Sequence, residues 1–500
     1  METRHAMAMR AGPERLLWAD VLDKALKECP EAPAVVQGHD VRSYRQLGVA
    51  VATVAAQLRA SGVGAGLRLA IDLPRSAALY EMMLACLLEG VSFMALPRSL
   101  GRLERVSIAQ RSGCAGIVSN EALLPEAGQA IDGIGHVWRL SGDVRAPSNE
   151  GPSAPEIYCV RTSGTTGEPK VVPIRSGQLT SFLESSHIAL GVPEWATWSW
   201  MHDLSFDFSV WETLGCLVHR GCLVVVDEDI KRNPAETLRL LVEAEVNVLS
   251  VTPSEFRYIF SYDDRRPSPD GWRLTDVIFC GEELTVGTLL PVFDELNRRG
   301  VRVINTYGPS EATVFCSFHR VTDSDLDGEG IPIGRGLPGT ELELMSADDT
   351  GVGELVLRGL QVFEGYDGNE PLVGGYSTGD MCRIDDRGEF VYVGRSGGYQ
   401  KINGFRVELY EIEQHLRSLP GVDEAVVWVE NLEEQGDFLV AAVRARPAVG
   451  LSTRDLRLAC SGLPHYMRPA RYLVLQSMEW PVNDRGKTDR MLLRRKTRDQ

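Results

Sequence analysis

The sequence predicts an α/β protein with a large doubly wound N-terminal body followed by a small α+β cap. Three observations predict this. Short β-branched runs alternate with helical periodicity through the middle of the chain, the pattern of parallel strands joined by crossover helices. Glycines crowd the stretch 388–404, where the texture changes. At 500 residues with 44% hydrophobic content, the chain can bury a sizeable core but exceeds what one core usually holds, so at least two domains are expected.

The elements follow in order. CLVVV (222–226) reads as a buried strand. Asn233, Pro234 and Glu236 supply an N-cap, a proline at the first helical position and a reciprocal carboxylate, opening a helix that carries Leu238 and Leu241. VNVLSV (246–251) is the next strand, and the unit repeats as DVIFC (276–280), a helix from about Val286 to Arg299 stopped by Gly300, and VRVINTY (301–307). The run FVYVGRSGGYQKINGF then holds four glycines, and a helix over Glu408 to Leu416 ends before Pro420. AVVWV (425–429) and LVAAV (439–443) read as strands of the cap. The boundary is placed between 395 and 396, giving domains 1–395 and 396–500.

Charge and cysteine usage exclude several functions. A formal net charge of −17 opposes any general attraction to nucleic acid or anionic lipid, so neither is expected as a partner. The one basic cluster, Arg490, Arg494, Arg495, Lys496 and Arg498, is either a solvated tail or a docking point for an acidic protein. Ten scattered cysteines without a C-x-x-C pair fit neither a disulfide framework nor a structural zinc site, and suit buried thiols in a reducing compartment. With no signal-peptide run near the N-terminus and no bilayer-length apolar segment, a soluble cytoplasmic protein is expected.

The sharpest chemical signal is RTSGTTGEPK (161–170) after the apolar run IYCV. Glycines let backbone N–H groups converge on phosphate oxygens, hydroxyls add neutral donors, and Lys170 adds charge. It is not a Walker loop: Pro169 precedes the lysine, and VVPI reads as a strand where that loop needs a helix. An ordinary Gly/Thr hairpin turn has the same composition. YGPSE (307–311) follows a predicted strand at the carboxyl edge of the sheet, where open α/β sheets bind ligands. There Tyr307 can stack on a base, Ser310 can donate to a phosphate, and Glu311 is a hard oxygen ligand for Mg²⁺. YSTGD (376–380) places a carboxylate, Asp380, where ribose hydroxyls are commonly gripped.

In their joint order these segments resemble the adenylate-forming superfamily of acyl-CoA synthetases, luciferases and peptide-synthetase adenylation domains, most closely a stand-alone example of the last. The resemblance covers nearly the whole chain through RSYRQLG (42–48), TSGTTGEPK, FDFSVWE (206–212), NTYGPSEATV (305–314), GELVLRG (353–359), YSTGD, Gly394-Arg395, KINGFRVELYEIE (401–413) and PVNDRGKTDR (481–490). It implies a β-rich subdomain in the body and a mobile C-terminal lid. It also implies ATP and Mg²⁺ as cofactors. Thr162, Ser163, Gly164, Thr165, Thr166, Gly167 and Lys170 would hold the β- and γ-phosphates, and Tyr307 would stack on adenine near Gly281 and Thr306. Glu311 would bind Mg²⁺, Ser310 the α-phosphate, and Asp380 and Arg395 the ribose. Lys487 would swing in from the lid to touch the substrate carboxylate and α-phosphate. After adenylation the lid would rotate and present the segment around Gly404 to a pantetheine thiol. Gly397 stands at the hinge position, where relatives hold an acidic residue or lysine.

FDFSVWE bears on the acid. Asp207 between aromatics is hard to bury without a cation, and a substrate ammonium would supply one. The resemblance gives it that role and lines the side-chain pocket with Phe208, Trp211, Ser250, Ile278, Cys280, Thr306, Val314 and Phe315. Their bulk and lack of charge imply a small or medium neutral substrate: threonine-like, aliphatic or a β-amino acid. No carrier segment with a modifiable serine motif follows Lys487, so a separate phosphopantetheinylated carrier protein is the expected partner. A ligase using free coenzyme A and a catalytically silent scaffold relative stay open as alternatives.

Overall fold

The computed structural model describes residues 18–98, 100–121, 123, 129–131, 134–140, 155–162, 170–260, 271–328, 330–347, 351–367, 371–395, 399–402, 405–432, 436–446, 450–463, 467–483 and 488–498. The chain divides into two compact units, Met1–Glu343 with Val356–Tyr376, and Leu344–Leu355 with Ser377–Gln500.

The first unit contains two large sheets. One has nine strands in the order Arg335–Gly336, Ser317–Arg320, Arg302–Tyr307, Asp276–Phe279, Val248–Val251, Thr197–Trp200, Cys222–Val225, Pro33–Gln37 and Asp40–Ser43. The six from Arg302–Tyr307 to Pro33–Gln37 run parallel. Their residues are largely apolar and buried on both faces, as a parallel sheet covered by helices requires. Phe256, Phe279, Leu289, Phe293 and Leu296 pack one of these faces against the helices. The other sheet has seven strands, of which Gly116–Ser119, Arg68–Asp72, Ser92–Ala95 and Glu156–Thr162 are parallel neighbours. Its last strand, Lys170–Arg175, returns antiparallel to Glu156–Thr162 with Thr162 opposite Lys170. The residues after Lys170 are thus a strand, the feature that separates this loop from a Walker motif.

Two local expectations are corrected. The helix expected from Val286 to Arg299 is two pieces, Val286–Leu289 and Phe293–Arg298, because Pro291 lies between them. Proline has no N–H to donate, and its ring clashes with the preceding turn. Gly300 does end the second piece, at φ +71°, with Val301 N–H donating to Leu296 O. At the helix Pro234–Glu243, Asn233 accepts from Ala235 and Glu236 N–H as a cap should. The reciprocal contact from Glu236 is not needed, since Asn233 N–H already donates to Ile230 O.

The second unit contains a hairpin, Tyr399–Ile402 with Phe405–Glu408, and a three-stranded sheet of Val422–Leu432, Gly436–Ala445 and Arg471–Gln476. Helix Leu409–Arg417 packs on that sheet through Ile412 and Leu416. The expected strands at 425–429 and 439–443 lie inside its first two members, Val426 opposite Ala442.

Candidate active site

The carboxyl ends of the parallel strands set a row of side chains. Ser250 stands opposite Ile278, and Ile278 opposite Ile304. Two residues further along, Thr306 donates its hydroxyl to Phe279 O at 2.7 Å. Cys280 and Gly281 follow Phe279 directly, with Gly281 at φ +88°. Ser250, Ile278, Cys280 and Thr306, expected together from the sequence, are therefore neighbours at the ends of three adjacent strands.

After Tyr307 the chain makes the YGPSE turn and doubles back, with Cys316 N–H donating to Tyr307 O at 2.7 Å. Gly308 is required by this crossing, because a Cβ there would lie 2.4 Å from the Phe315 Cα. Gly308→Ala is expected to cost about 1–3 kcal/mol of stability through overpacking, seen as a lowered melting temperature. Thr313 and Val314 both adopt left-handed backbone, φ +56° and +72°. The buried Gln361 holds them there. Its side-chain amide donates to Ala312 O and Phe315 O, each at 2.8 Å, and its backbone oxygen accepts from the Thr313 hydroxyl at 2.7 Å.

Glu311 lies in the single turn Ser310–Ala312 and is 6% exposed. Its carboxylate accepts from the Tyr366 hydroxyl at 2.8 Å, and its backbone oxygen accepts from Phe363 N–H at 2.7 Å. Burial, then the Glu311 charge, raises the Tyr376 phenol well above its usual range. Burial, then the Glu311 charge, pushes the Tyr366 phenol up to about 12, so it keeps its proton and donates at neutral pH. Lys170 Nζ stands 4.6 Å from the centre of the Tyr366 ring. Next along, Asp367 N–H donates to Val171 O at 3.0 Å, and its carboxylate meets Arg68, which also grips Glu156 at 2.7 and 2.8 Å. The segment around Tyr366 thereby clasps the base of the phosphate-loop candidate to Glu311. Sequence reasoning missed Tyr366; the signal available was an aromatic shortly after GELVLRG, which has no chemistry until folding sets it on a carboxylate.

Asp207 is 5% exposed and opens the helical turns Phe208–Val210 and Trp211–Gly215, the second a π-helical turn of the kind common at functional sites. Burial, and after it the Asp207 charge, raises the Tyr158 phenol well above its usual range. Phe208, Trp211, Val314 and Phe315 are all buried. Trp211 packs against Trp198 at 5.0 Å and Phe315 at 5.4 Å between ring centres, and Phe315 against Phe182 at 4.8 Å. Among the described residues, Tyr158 Oη, Ser209 Oγ, Trp211 Nε1 and Ser250 Oγ are buried without a hydrogen-bond partner. Orphaned polar atoms on this scale call for a polar ligand or water.

In the second unit, Asp380 and Arg395 pair across two antiparallel strands, Nε to Oδ1 at 2.7 Å, which joins the two residues expected to act together. Ser163, Gly164, Thr165, Thr166, Gly167, Gly397, Gly404 and Lys487 lie outside the described residues, as does the Thr162 side chain. Val482 and Thr488, on either side of Lys487 in the chain, form an antiparallel bridge. No described helix is long and apolar enough to cross a membrane.

A model of the AMP-binding enzyme family matches residues 22–367. The chain belongs to the AMP-binding enzyme family. It is similar to syringomycin synthase SyrB1 of Pseudomonas syringae pv. syringae, with 33% identity covering 95% of this chain and 81% of that protein. The dimodular nonribosomal peptide synthase of Bacillus subtilis is 30% identical over 93% of the chain, which spans only 21% of that longer protein. Among solved structures, that of holo-AB3403, a four-domain nonribosomal peptide synthetase bound to AMP and glycine, superposes with a TM-score of 0.76 at 25% identity, covering 96% of this chain and 36% of that one. The o-succinylbenzoate coenzyme A synthetase of Bacillus subtilis, in complex with ATP and magnesium, shares the fold with a TM-score of 0.74 at 21% identity, covering 95% and 99%. This AMP-binding family member is thus an adenylate-forming, AMP-forming ligase related to nonribosomal peptide synthetase adenylation domains.

Proposed function

We propose that this enzyme activates a small or medium neutral amino acid with ATP, releasing pyrophosphate, and passes the aminoacyl group to the phosphopantetheine thiol of a separate carrier protein in the cytoplasm. The observation that supports it best is Asp207, a buried carboxylate directly before Phe208 in a segment whose candidate pocket partners Phe208, Trp211, Ile278, Cys280, Val314 and Phe315 are buried and bear no charge. An ammonium group entering with the substrate would neutralise it; a fatty or aryl acid would bring no cation to it. Threonine-like, aliphatic and β-amino acids fit this pocket.

The residues present also fit ATP and magnesium. Glu311 is a hard oxygen donor oriented by the Tyr366 phenol, and Lys170 stands over the ring of that tyrosine. Bound Mg²⁺ would neutralise phosphate charge as the substrate carboxylate approaches. Of the chain's own groups, Lys170 and the 163–167 loop hold phosphate oxygens, Ser310 donates to the α-phosphate, and Tyr307 covers the base near Gly281 and Thr306. Asp380 and Arg395 hold the ribose. A core 1–395 and a lid 396–500 hinged at Gly397, with Gly404 facing the thiol, complete the proposal.

Exchange of labelled pyrophosphate into ATP across a panel of amino acids tests this reading. Exchange with one or a few small neutral amino acids is expected, and none with fatty acids; silence with every acid would overturn it. Thioester formation on a holo carrier protein, and not on free coenzyme A, tests the second step. Tyr366→Phe should raise the Mg²⁺ concentration needed for half-maximal exchange about tenfold, since an outer partner of the metal-binding carboxylate is lost.

A further inference from the structure

A buried charge cluster lies behind the loop that presents Asp207, and the proposed mechanism does not use it. The loop runs from Met201 to Glu212, and Glu212 closes it by accepting from Met201 N–H at 2.8 Å and His202 N–H at 3.1 Å. The His202 ring sits between two carboxylates, Nε2 at 2.7 Å from Glu255 and Nδ1 at 3.2 Å from Glu212. Lys231 meets the other Glu255 oxygen at 2.5 Å, and Arg75 donates to Met201 O while pairing with Glu228. The ring also lies 5.2 Å from Phe206 and 5.1 Å from Phe208, centre to centre, the two aromatics that flank Asp207. His202 and Glu212 are almost fully buried.

We propose that His202 is a positioning residue for the amino-acid pocket, fixing the Met201–Glu212 loop so that Asp207 and Phe208 present the geometry the substrate needs. This rests on the amino-acid reading given above. With two glutamates and one lysine, the cluster reaches neutrality only when the imidazole carries a proton, and only an imidazolium has an N–H for each carboxylate. Burial opposes that charge, but Glu255 and Glu212 outweigh it and raise His202 above its ordinary value. Correspondingly Glu255, despite its burial, is held well below the usual carboxylate range by His202 and Lys231. A raised histidine keeps the clamp below its folded-state value and releases it as pH climbs through that value. The charged groups facing the ring are Glu212 from its own loop, Glu255 and Lys231 from the flanking helices, with Arg75 beside them.

The test is the steady-state KM of the full-length enzyme for L-threonine, L-valine and β-alanine, and separately for ATP, in pyrophosphate exchange across pH. His202→Asn is expected to raise the KM of whichever probe is activated by about tenfold or more at near-neutral pH while leaving the ATP KM within about twofold, since a small displacement of a substrate-facing group has effects of this size. Glu255→Gln, which removes one carboxylate and lowers the histidine, should bring the rise in amino-acid KM to lower pH than in the wild type. Equal KM values in both variants and the wild type at every pH, or an ATP KM that moves in parallel, would overturn the inference. If His202→Asn fails to fold, the Glu255→Gln profile alone decides. Wild-type enzyme inactive with all three probes and the wider panel would instead overturn the amino-acid reading, and this inference with it.

Discussion

Replacing Lys487 with alanine is expected to lower amino-acid-dependent pyrophosphate exchange by about a hundredfold or more, with a much smaller change in ATP binding measured by calorimetry. The expectation follows from charge. Attack of a carboxylate on the α-phosphate brings two anions together, and a cation placed between them favours the transition state more than either reactant alone. The effect should therefore fall on kcat and leave the amino-acid KM nearly unchanged. Thr488, the next residue in the chain, receives the Trp480 indole N–H at 3.0 Å and pairs with Val482. An exchange rate within a few-fold of wild type would remove Lys487 from the chemistry.

Glu311→Gln should lower exchange by about one hundredfold at ordinary Mg²⁺ concentrations, with partial recovery as Mg²⁺ is raised. The amide keeps the shape and can still accept from Tyr366, so the turn Ser310–Ala312 and the clasp from Phe363 should persist. What is lost is the negative charge that a hard cation needs. Metal dependence identical to wild type would show that another group holds the ion. Mn²⁺ binding in the presence of ATP, followed by electron paramagnetic resonance, should weaken in parallel and gives a readout independent of turnover.

Much of the fold was legible because the parallel strands are buried on both faces and read as continuous apolar runs, as at CLVV, VLSV and DVIF. The helix after them was overextended because periodicity alone carries no penalty for Pro291. In the site, YGPSE and FDFSVWE stood out since glycine, proline and an acid among aromatics are unusual company. Tyr366 and His202 did not, because a tyrosine or histidine gains chemical meaning only from partners far away in the chain: 55 residues to Glu311 for one, 53 to Glu255 for the other. Long-range pairing of this sort leaves no local pattern.

The consecutive left-handed residues Thr313 and Val314 have a consequence for engineering. A β-branched residue at φ +72° costs more than glycine would in the same conformation, and Gln361 is what keeps the pair in place. Broadening substrate scope and raising thermal tolerance therefore meet at one position. If Val314 lines the substrate pocket as proposed, glycine at 314 would both widen it and relax the main chain, whereas changes at Trp211 or Phe315 would lose packing without that compensation.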